Sequence, residues 1–253
     1  MPFLTAAGRR IEYQQIAGPA TRPVMVFLHE GLGSVSMWRD FPARCAQRVG
    51  CPALVYSRYG YGQSNSLVAP RGVDYLHEEA LRALPEILDQ LEIERPVLLG
   101  HSDGASIALV HAGGTGRAVA GVVALAPHVF VEPEAIRGIA AARLAWQTTP
   151  MREKLARFHR DVDSVFAGWY DIWTSPEFLA WNIEEFLPGI RCPVLAVQGE
   201  QDEYGTMAQL DRIAHGVKQV RQLRLNACGH SPHRDQAEAV MEAVREFVLP
   251  DAD

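Results

Sequence analysis

The strongest structural signal in the chain is the sequence Val97-Leu98-Leu99-Gly100-His101-Ser102-Asp103-Gly104. Its first three residues form a short apolar run typical of a buried strand, and the apolar segment Ala105 to Val110 that follows is helix-like. A G-x-S-x-G motif joins the two. On so tight a strand-to-helix turn the serine backbone is strained, and the glycines keep Cβ atoms out of the way. We therefore predict that the Ser102 hydroxyl projects above a sheet as a nucleophile; the alternative is a glycine-rich turn with an exposed serine.

Four more short apolar runs surround this one, and each is bounded by Gly or Pro. They suit strands that are buried on both faces, as in a parallel sheet: Val24 to Leu28, Ala53 to Tyr56, Val122 to Ala126 and Val194 to Val197. Leu76 to Leu91 has the apolar spacing of an amphipathic helix. The alternation of strands and helices predicts an α/β fold with a doubly wound, mostly parallel sheet. Arg9 to Gln15 alternates weakly and predicts part of an antiparallel hairpin.

The composition is that of one compact globular unit. The chain has 253 residues, of which 48% are hydrophobic and 21% charged, with a net charge of -6. This charge argues against a nucleic-acid partner or an anionic membrane surface. The N-terminus lacks a secretory signal pattern, and no apolar stretch is long enough to span a bilayer. We therefore expect a soluble cytoplasmic protein without nucleic-acid or membrane partners.

The sequence contains no pattern that calls for a metal or a cofactor. The four cysteines lie far apart without a C-x-x-C pair, so free buried thiols are the favoured interpretation. Neither a complete G-x-G-x-x-G motif nor a phosphate-binding G-x-x-x-x-G-K-[ST] motif is present. We expect no cofactor and no metal.

A serine nucleophile needs a base, and the base needs an orienting acid. Both follow Ser102 in the chain. The segment Gly199-Glu200-Gln201-Asp202 comes after one predicted strand, and Cys228-Gly229-His230-Ser231-Pro232-His233 comes after the next strand-like run. Groups at the carboxyl ends of parallel strands gather in one crevice. The order Ser, Asp, His then assigns Ser102, Asp202 and His230 as the catalytic residues.

Three other residues compete for these roles. His233 lies three positions after His230 and is the second candidate for the base. Glu200 lies close to Asp202, and Glu132 follows another predicted strand, so either could be the orienting acid. A solvated loop residue is the alternative interpretation for each of them.

The loop His29-Glu30-Gly31-Leu32-Gly33-Ser34 follows the first buried strand. Its glycines let the backbone turn back, so that the N–H of Gly31 can join that of Asp103 in binding a tetrahedral oxyanion. The helix after Ser102 adds the positive end of its dipole at the same place. For His29 we favour a structural hydrogen bond beneath the loop over a catalytic role.

Residues 129–188 interrupt the alternation with helical patterns only, which predicts a helical insertion. The expected core domain then comprises residues 1–128 and 189–253. The insertion is rich in aromatic residues that could form an apolar substrate-binding wall over Ser102. The candidates for substrate binding are Trp146, Trp169, Trp173, Phe130 and His128. Alternatively, the tryptophans only pin the inserted helices to the core, and His128 is a structural histidine.

These motifs together resemble the α/β-hydrolase fold family, and the similarity spans nearly the whole chain. A further segment that resembles the family is the turn Arg58-Tyr59-Gly60-Tyr61-Gly62-Gln63-Ser64. The family implies about eight strands, mostly parallel, with a helical cap inserted after the sixth strand. Two loops depart from its usual pattern: His-Glu-Gly stands for the commoner His-Gly, and Arg-Tyr-Gly-Tyr-Gly for Arg-Gly-x-Gly. The serine at the turn indicates the serine-nucleophile branch, because dehalogenases and epoxide hydrolases of this fold have an aspartate there.

The expected activity is hydrolysis of a small-to-medium carboxylic ester through an acyl-enzyme, as in carboxylesterases. Thioesterases, lactonases and carbon–carbon bond hydrolases share the same motifs and remain alternatives. Another is a cofactor-free oxygenase or perhydrolase, and a third is a non-catalytic scaffold. The expected partner is a small ester-like molecule, and the protein is expected to be a monomer or a homodimer.

Overall fold

The computed structural model describes residues 1–249. Within them lie eight strands: β1 (Phe3–Ala6), β2 (Arg9–Ile16), β3 (Met25–Leu28), β4 (Ala53–Tyr56), β5 (Val97–His101), β6 (Gly121–Leu125), β7 (Val194–Gly199) and β8 (Val220–Leu225). They form one sheet in the order β1-β2-β4-β3-β5-β6-β7-β8.

The sheet is parallel from β4 to β8 and antiparallel only at the edge formed by β1 and β2. Every residue of β3, β4, β5, β6 and β7 is buried. Their continuous apolar sequences follow from this burial, because helices cover both faces of the sheet. The predicted hairpin at Arg9 to Gln15 is present as the pairing of β1 with β2. The mostly parallel sheet predicted from the sequence is therefore confirmed.

Ten α-helices lie in the described part of the chain: α1 (Phe41–Val49), α2 (Tyr75–Glu78), α3 (Leu84–Gln90), α4 (Asp103–Gly114), α5 (Pro133–Thr148), α6 (Met151–Leu155), α7 (Val162–Trp173), α8 (Ala208–Gly216), α9 (Pro232–Asp235) and α10 (Ala237–Val248). A π-helical segment, Glu79–Ala83, joins α2 to α3. The helix predicted from Leu76 to Leu91 is therefore one continuous helical stretch with a π-helical middle.

Two apolar clusters occupy the two faces of the sheet. One contains buried side chains of α1 and α10, and the other contains those of α3, α4 and α8. Helix α4 is buried from Asp103 to Ala112, which explains why its sequence is apolar on all sides rather than on one. This central helix therefore fixes the position of the residue before it, Ser102.

Between β6 and β7 the chain forms α5, α6, α7 and two short 3₁₀ segments, Phe178–Ala180 and Glu184–Gly189. Within this described stretch the only strand-like feature is an isolated bridge between Phe130 and Asn182. Phe166, Trp169 and Trp173 of α7 belong to the same apolar cluster as the core helices. The expected helical insertion after the sixth strand is thus present and is called the cap below; its boundaries at residues 129 and 188 and its role as a cap remain predictions.

All four cysteines are buried and free. Among residues 1–249, no helix combines the length and the apolar character that a bilayer-spanning segment needs.

Candidate active site

Ser102 lies in a strained turn between β5 and α4. Its φ of 53° and ψ of -119° are unfavourable for a residue with a side chain, and such strain costs about 1–3 kcal/mol. The surrounding backbone compensates: the Ser102 N–H donates to the Leu125 carbonyl at 2.9 Å, and the Ser102 carbonyl accepts the N–H of Ala105 at 2.8 Å. The strained turn is therefore held in place by hydrogen bonds from two neighbouring elements.

The two glycines of the motif are required by close backbone approach rather than by positive φ. A Cβ on Gly100 would overlap the carbonyl oxygen of Gly104, and a Cβ on Gly104 would overlap that of Leu28. Strand β5, helix α4 and the end of β3 therefore approach each other as closely as backbone alone allows. The spacing of the motif follows from these two contacts.

His230 and Asp202 meet Ser102 at the carboxyl ends of the strands. The Nε2 atom of His230 lies 2.9 Å from Oγ of Ser102. On the other side of the ring, Nδ1 lies 2.8 and 2.9 Å from the two carboxylate oxygens of Asp202. Asp202 follows β7 and His230 follows β8. The structure thus brings together the three residues selected from the sequence, in the order serine, imidazole, carboxylate.

The residues around Asp202 keep its carboxylate ionised. Its side chain is fully buried, which by itself raises the pKa, but the hydrogen bond and charge of His230 and the N–H of Tyr204 outweigh burial and hold the pKa below its usual value. Gln198 Nε2 also donates to Asp202, at 2.6 Å. A carboxylate that accepts from Nδ1–H leaves the Nε2 atom of His230 free to accept a proton from Ser102.

The competing base does not reach the serine. His233 is buried against Trp38 and Phe41, with ring centroids 4.9 and 5.4 Å away, and neither of its ring nitrogens has a hydrogen-bond partner among the described residues. Burial lowers the pKa of His233 well below its usual value, so the ring is neutral. This histidine is a packing residue of the core.

The two competing acids, Glu132 and Glu200, do not contact His230. Glu132 accepts hydrogen bonds from the N–H and hydroxyl of Thr206 at 3.0 and 2.6 Å, and from Gln209 Nε2 at 2.7 Å. It ties the start of α5 to the segment before α8. Glu200 is exposed, and its backbone N–H continues the pairing of β7 with β8. Asp202 is therefore the acid that contacts His230.

The two residues expected to donate to an oxyanion, Asp103 and Gly31, both have backbone N–H groups without an acceptor among residues 1–249. Asp103 is the first residue of α4, so its N–H has no partner within the helix. Gly31 lines the same cavity as Ser102, and within residues 1–249 its N–H has no acceptor. A Cβ on Gly31 would overlap the indole of Trp169, which explains glycine at this position. The role of the two N–H groups as donors to an oxyanion remains a prediction.

A cavity of about 290 Å³ lies over these groups. Its apolar wall comes from the cap, through Ala135, Ile139, Met151, Leu155, Trp169 and Trp173. Its polar residues include Ser102, His230 and His128, and its charged residues are Glu30, Glu203 and Arg234. The cavity therefore combines an apolar wall with a few polar groups, as small-molecule sites do.

The wall differs in two positions from the one expected from the sequence. Trp169, Trp173 and His128 line the cavity, but Trp146 and Phe130 do not. Trp146 stacks on Phe166, with ring centroids 4.1 Å apart. The guanidinium of Arg212 lies over the Phe130 ring, 5.4 Å from the ring centroid. Helical periodicity alone did not show which side of α5 faces the core.

His128 lies beside the reacting groups but is neutral. Burial, together with the nearby His230, lowers its pKa to about 3. Its ring is 5.1 Å from that of Trp173 and 5.7 Å from that of His230. His128 therefore contributes a polar but uncharged edge to the cavity.

Sequence reasoning missed Tyr204 and Glu203, which also line the cavity. The Tyr204 ring lies 4.6 Å from that of His230, and burial raises the pKa of its hydroxyl to about 12. Both residues directly follow Asp202, so their position next to the predicted acid was the available signal. Within residues 1–249, no group of three or more His, Cys, Asp or Glu side chains is arranged to hold a metal ion.

The hydrogen-bonded serine, histidine and aspartate at the carboxyl ends of a mostly parallel sheet define the class of α/β proteins with a serine at a nucleophile turn. The sequence profile described as "Alpha/beta hydrolase family" matches residues 25–243. The chain belongs to the alpha/beta hydrolase family, and its predicted fold is confirmed.

Comparison with curated proteins finds relatives that match parts of this chain. The 2-succinyl-6-hydroxy-2,4-cyclohexadiene-1-carboxylate synthase of Serratia proteamaculans is 30% identical over 155 residues, which cover 60% of this chain and 55% of that protein. The sn-1-specific diacylglycerol lipase ABHD11 of Mus musculus is 31% identical over 100 residues, which cover 40% of this chain and 31% of that protein. The chain thus matches about half of the first relative and a third of the second.

Among solved structures, the enol-lactonase from Burkholderia xenovorans LB400 superposes with a TM-score of 0.76 and 21% identity. The superposition covers 98% of this chain and 99% of that one. At this identity the likeness establishes the shared fold.

Proposed function

We propose that the protein is a serine hydrolase that cleaves a small-to-medium carboxylic ester through an acyl-enzyme intermediate. The observation that carries this proposal is the continuous hydrogen-bonded chain from Ser102 through His230 to Asp202, at 2.9 and 2.8 Å, in the wall of a cavity. This is the arrangement in which a serine hydroxyl becomes a nucleophile.

In the first half of the reaction, Ser102 Oγ attacks the ester carbonyl carbon while His230 Nε2 takes its proton. Asp202 orients the imidazole through Nδ1–H and stabilises the cation that forms. The N–H groups of Asp103 and Gly31 donate to the oxyanion of the tetrahedral intermediate. The intermediate collapses, the alcohol leaves with the proton from His230, and the acyl group stays on Ser102.

In the second half, a water molecule takes the place of the alcohol. His230 removes a proton from this water, which attacks the acyl carbon, and the same two N–H groups hold the second oxyanion. Collapse returns the proton from His230 to Ser102 Oγ and releases the carboxylic acid. The ester and one water molecule are the only reactants that the two halves need to balance.

The cavity favours an uncharged acyl group of limited length. Its volume of about 290 Å³ is at the small end of ligand sites, and its cap side is apolar. Arg234 lies 3.4 Å from Glu30, and among the described residues Glu203 has no cationic partner. The charged lining is therefore net acidic, which disfavours a carboxylate-bearing substrate.

The test is hydrolysis of p-nitrophenyl butyrate by the wild type and by Ser102→Ala. The wild type should turn over, and Ser102→Ala should lose about 10⁴-fold or more in kcat because the acyl-enzyme cannot form. Ser36→Ala, an exposed serine, is the matched control and should keep wild-type activity. Equal activity of Ser102→Ala and the wild type would reject the proposal.

A substrate panel separates the related activities that share this chemistry. Thioesters, lactones and carbon–carbon bond substrates are compared with simple esters at matched acyl size. Dioxygen uptake without ester hydrolysis would instead point to the cofactor-free oxygenase alternative. A p-nitrophenyl ester that carries a free carboxylate should react more slowly than its neutral counterpart, and Glu203→Gln should reduce that difference.

A further inference from the structure

Arg58 is fully buried behind the cavity, and the reaction steps above do not use it. Its guanidinium Nη2 donates to the carbonyl oxygens of Glu30 at 2.9 Å and of His29 at 3.2 Å, and lies 3.3 Å from the Asp103 carboxylate. Only 2% of the side chain is exposed. A buried cation is costly unless it is paired, so these contacts require an explanation.

A second donor holds the same Glu30 carbonyl. His29 Nε2 accepts the backbone N–H of Arg58 at 3.0 Å, so the proton of this neutral ring is on Nδ1. Nδ1 in turn lies 2.7 Å from the Glu30 carbonyl oxygen and donates to it. Burial and the Arg58 charge lower the pKa of His29 well below its usual value, which keeps the ring neutral. The Glu30 carbonyl thus accepts hydrogen bonds from both the His29 imidazole and the Arg58 guanidinium, an arrangement that we call the clamp.

That carbonyl and the N–H of Gly31 belong to one peptide unit. A trans peptide is planar and rigid, and its C=O and N–H point in opposite directions. Fixing the Glu30 oxygen toward Arg58 therefore aims the Gly31 N–H at the opposite side, where Gly31 lines the cavity with Ser102. Donation from a cation to the carbonyl also polarises the peptide and makes its N–H a stronger donor.

The clamp is linked to the second donor and to the cap. The Asp103 carboxylate that faces Arg58 belongs to the residue whose own N–H lies beside Ser102, and it accepts the Tyr75 hydroxyl at 2.8 Å. Trp173 Nε1 donates to the same Tyr75 hydroxyl at 3.0 Å. One buried network therefore connects the loop after β3, the start of α4 and helix α7.

We propose that Arg58, anchored by the Asp103 carboxylate, is a positioning residue that sets the direction and donor strength of the Gly31 N–H in the oxyanion site. The proposal rests on the proposed function, because it concerns the oxyanion of that reaction. It also assigns a role to Glu30 in the unusual His-Glu-Gly loop: its backbone, rather than its side chain, is the part that Arg58 holds.

The test compares Arg58→Lys with the wild type. Lysine keeps the charge, but its side chain is shorter and its ammonium cannot take the place of Nη2, which makes all three contacts. We expect kcat on p-nitrophenyl butyrate to fall by about 10²-fold, the effect of losing one oxyanion donor, while KM changes by less than about threefold. Inhibition by a trifluoromethyl ketone, which forms an oxyanion on Ser102, should weaken by a similar factor.

Two further variants separate positioning from general damage to the fold. Arg71→Lys is the matched control: Arg71 is a half-buried arginine nearby that stacks over Tyr61 and Tyr75 but does not contact the Glu30 carbonyl, so kcat should be kept. Asp103→Asn removes the anchoring charge with little change of shape. It should lower kcat by about tenfold, and it replaces Arg58→Lys if that variant does not fold.

The outcomes distinguish this inference from the proposed function. An active wild type with an equally active, folded Arg58→Lys, or with unchanged ketone inhibition, overturns the positioning role alone. A parallel loss in kcat and inhibitor affinity at constant KM supports it. A wild type that neither hydrolyses esters nor reacts with a fluorophosphonate overturns the proposed function and this inference together.

Discussion

At the scale of the residue, the turn at Ser102 depends on close backbone contacts that leave no room for a Cβ atom at Gly100 or Gly104. The sequence pattern predicted the turn at Ser102 because both glycines of the motif lie where backbone atoms would meet a Cβ. It did not predict the role of Arg58, since a lone arginine in a turn motif does not show which carbonyls it reaches. Such roles depend on contacts between segments that are far apart in the chain.

Gly104→Ala should damage both stability and activity. The new methyl group would overlap the Leu28 carbonyl, so α4 must move away from β3, at a cost of about 1–3 kcal/mol in the free energy of unfolding. Because Ser102 moves with α4, kcat/KM should fall by about 10²-fold. Urea unfolding and p-nitrophenyl butyrate kinetics measure the two effects.

Gly205→Ala is the control for this change, because a Cβ at Gly205 would make only ordinary contacts, the nearest at 3.4 Å. It should unfold at nearly the wild-type urea concentration. If the two alanine variants are equally stable, close approach at Gly104 is not the reason for the glycine.

At the scale of the element, the strands and the loops that follow them could be predicted from the sequence, but the orientation of the cap helices could not. The five strands β3 to β7 were predictable because each is buried along its whole length and has a continuous apolar sequence. The loops of Asp202 and His230 followed from strand order. The facing side of α5 was not predictable, because Trp146 and Ile139 are both apolar and only tertiary packing places Ile139 at the cavity.

Trp169→Ala should shift the preferred acyl length of the substrate upward. Removing this indole enlarges the cap side of the cavity, so longer p-nitrophenyl esters gain kcat/KM relative to the acetate. The ratio of rates across esters from acetate to decanoate is the measurement.

Trp146→Ala removes the same side chain from a position outside the cavity and should leave this ratio unchanged. If both tryptophan variants change the preference alike, or neither does, the cap does not form the acyl wall as described.

At the scale of the whole molecule, buried histidines make the stability sensitive to acid. Burial lowers the pKa of His29, His111, His128, His159 and His233 below the value of 6.5. Below this pH the unfolded chain binds protons that the native state does not, so stability falls as pH falls, by up to about 1.4 kcal/mol per pH unit for each group. The buried Glu79, whose pKa burial raises, has the opposite effect.

His233→Leu should make the protein less sensitive to acid. The ring packs against Trp38 and Phe41 without any hydrogen bond from its nitrogens, so leucine loses no polar partner. The variant should gain stability relative to the wild type at about pH 5 and gain less at about pH 8. Urea unfolding at the two pH values measures this.

His215→Gln, an exposed position on α8, should follow the wild-type pH profile of stability. A His233→Leu variant whose advantage is the same at both pH values would show that the buried imidazole does not contribute to acid sensitivity.

Fluorophosphonate labelling followed by peptide mass spectrometry tests whether Ser102 is the nucleophile that His230 and Asp202 activate. We expect one covalent adduct, on the Ser102 side chain, with no adduct in Ser102→Ala and labelling slowed by at least about 10³-fold in His230→Ala. An adduct on another residue, or unchanged labelling of either variant, would show that Ser102 is not the activated nucleophile.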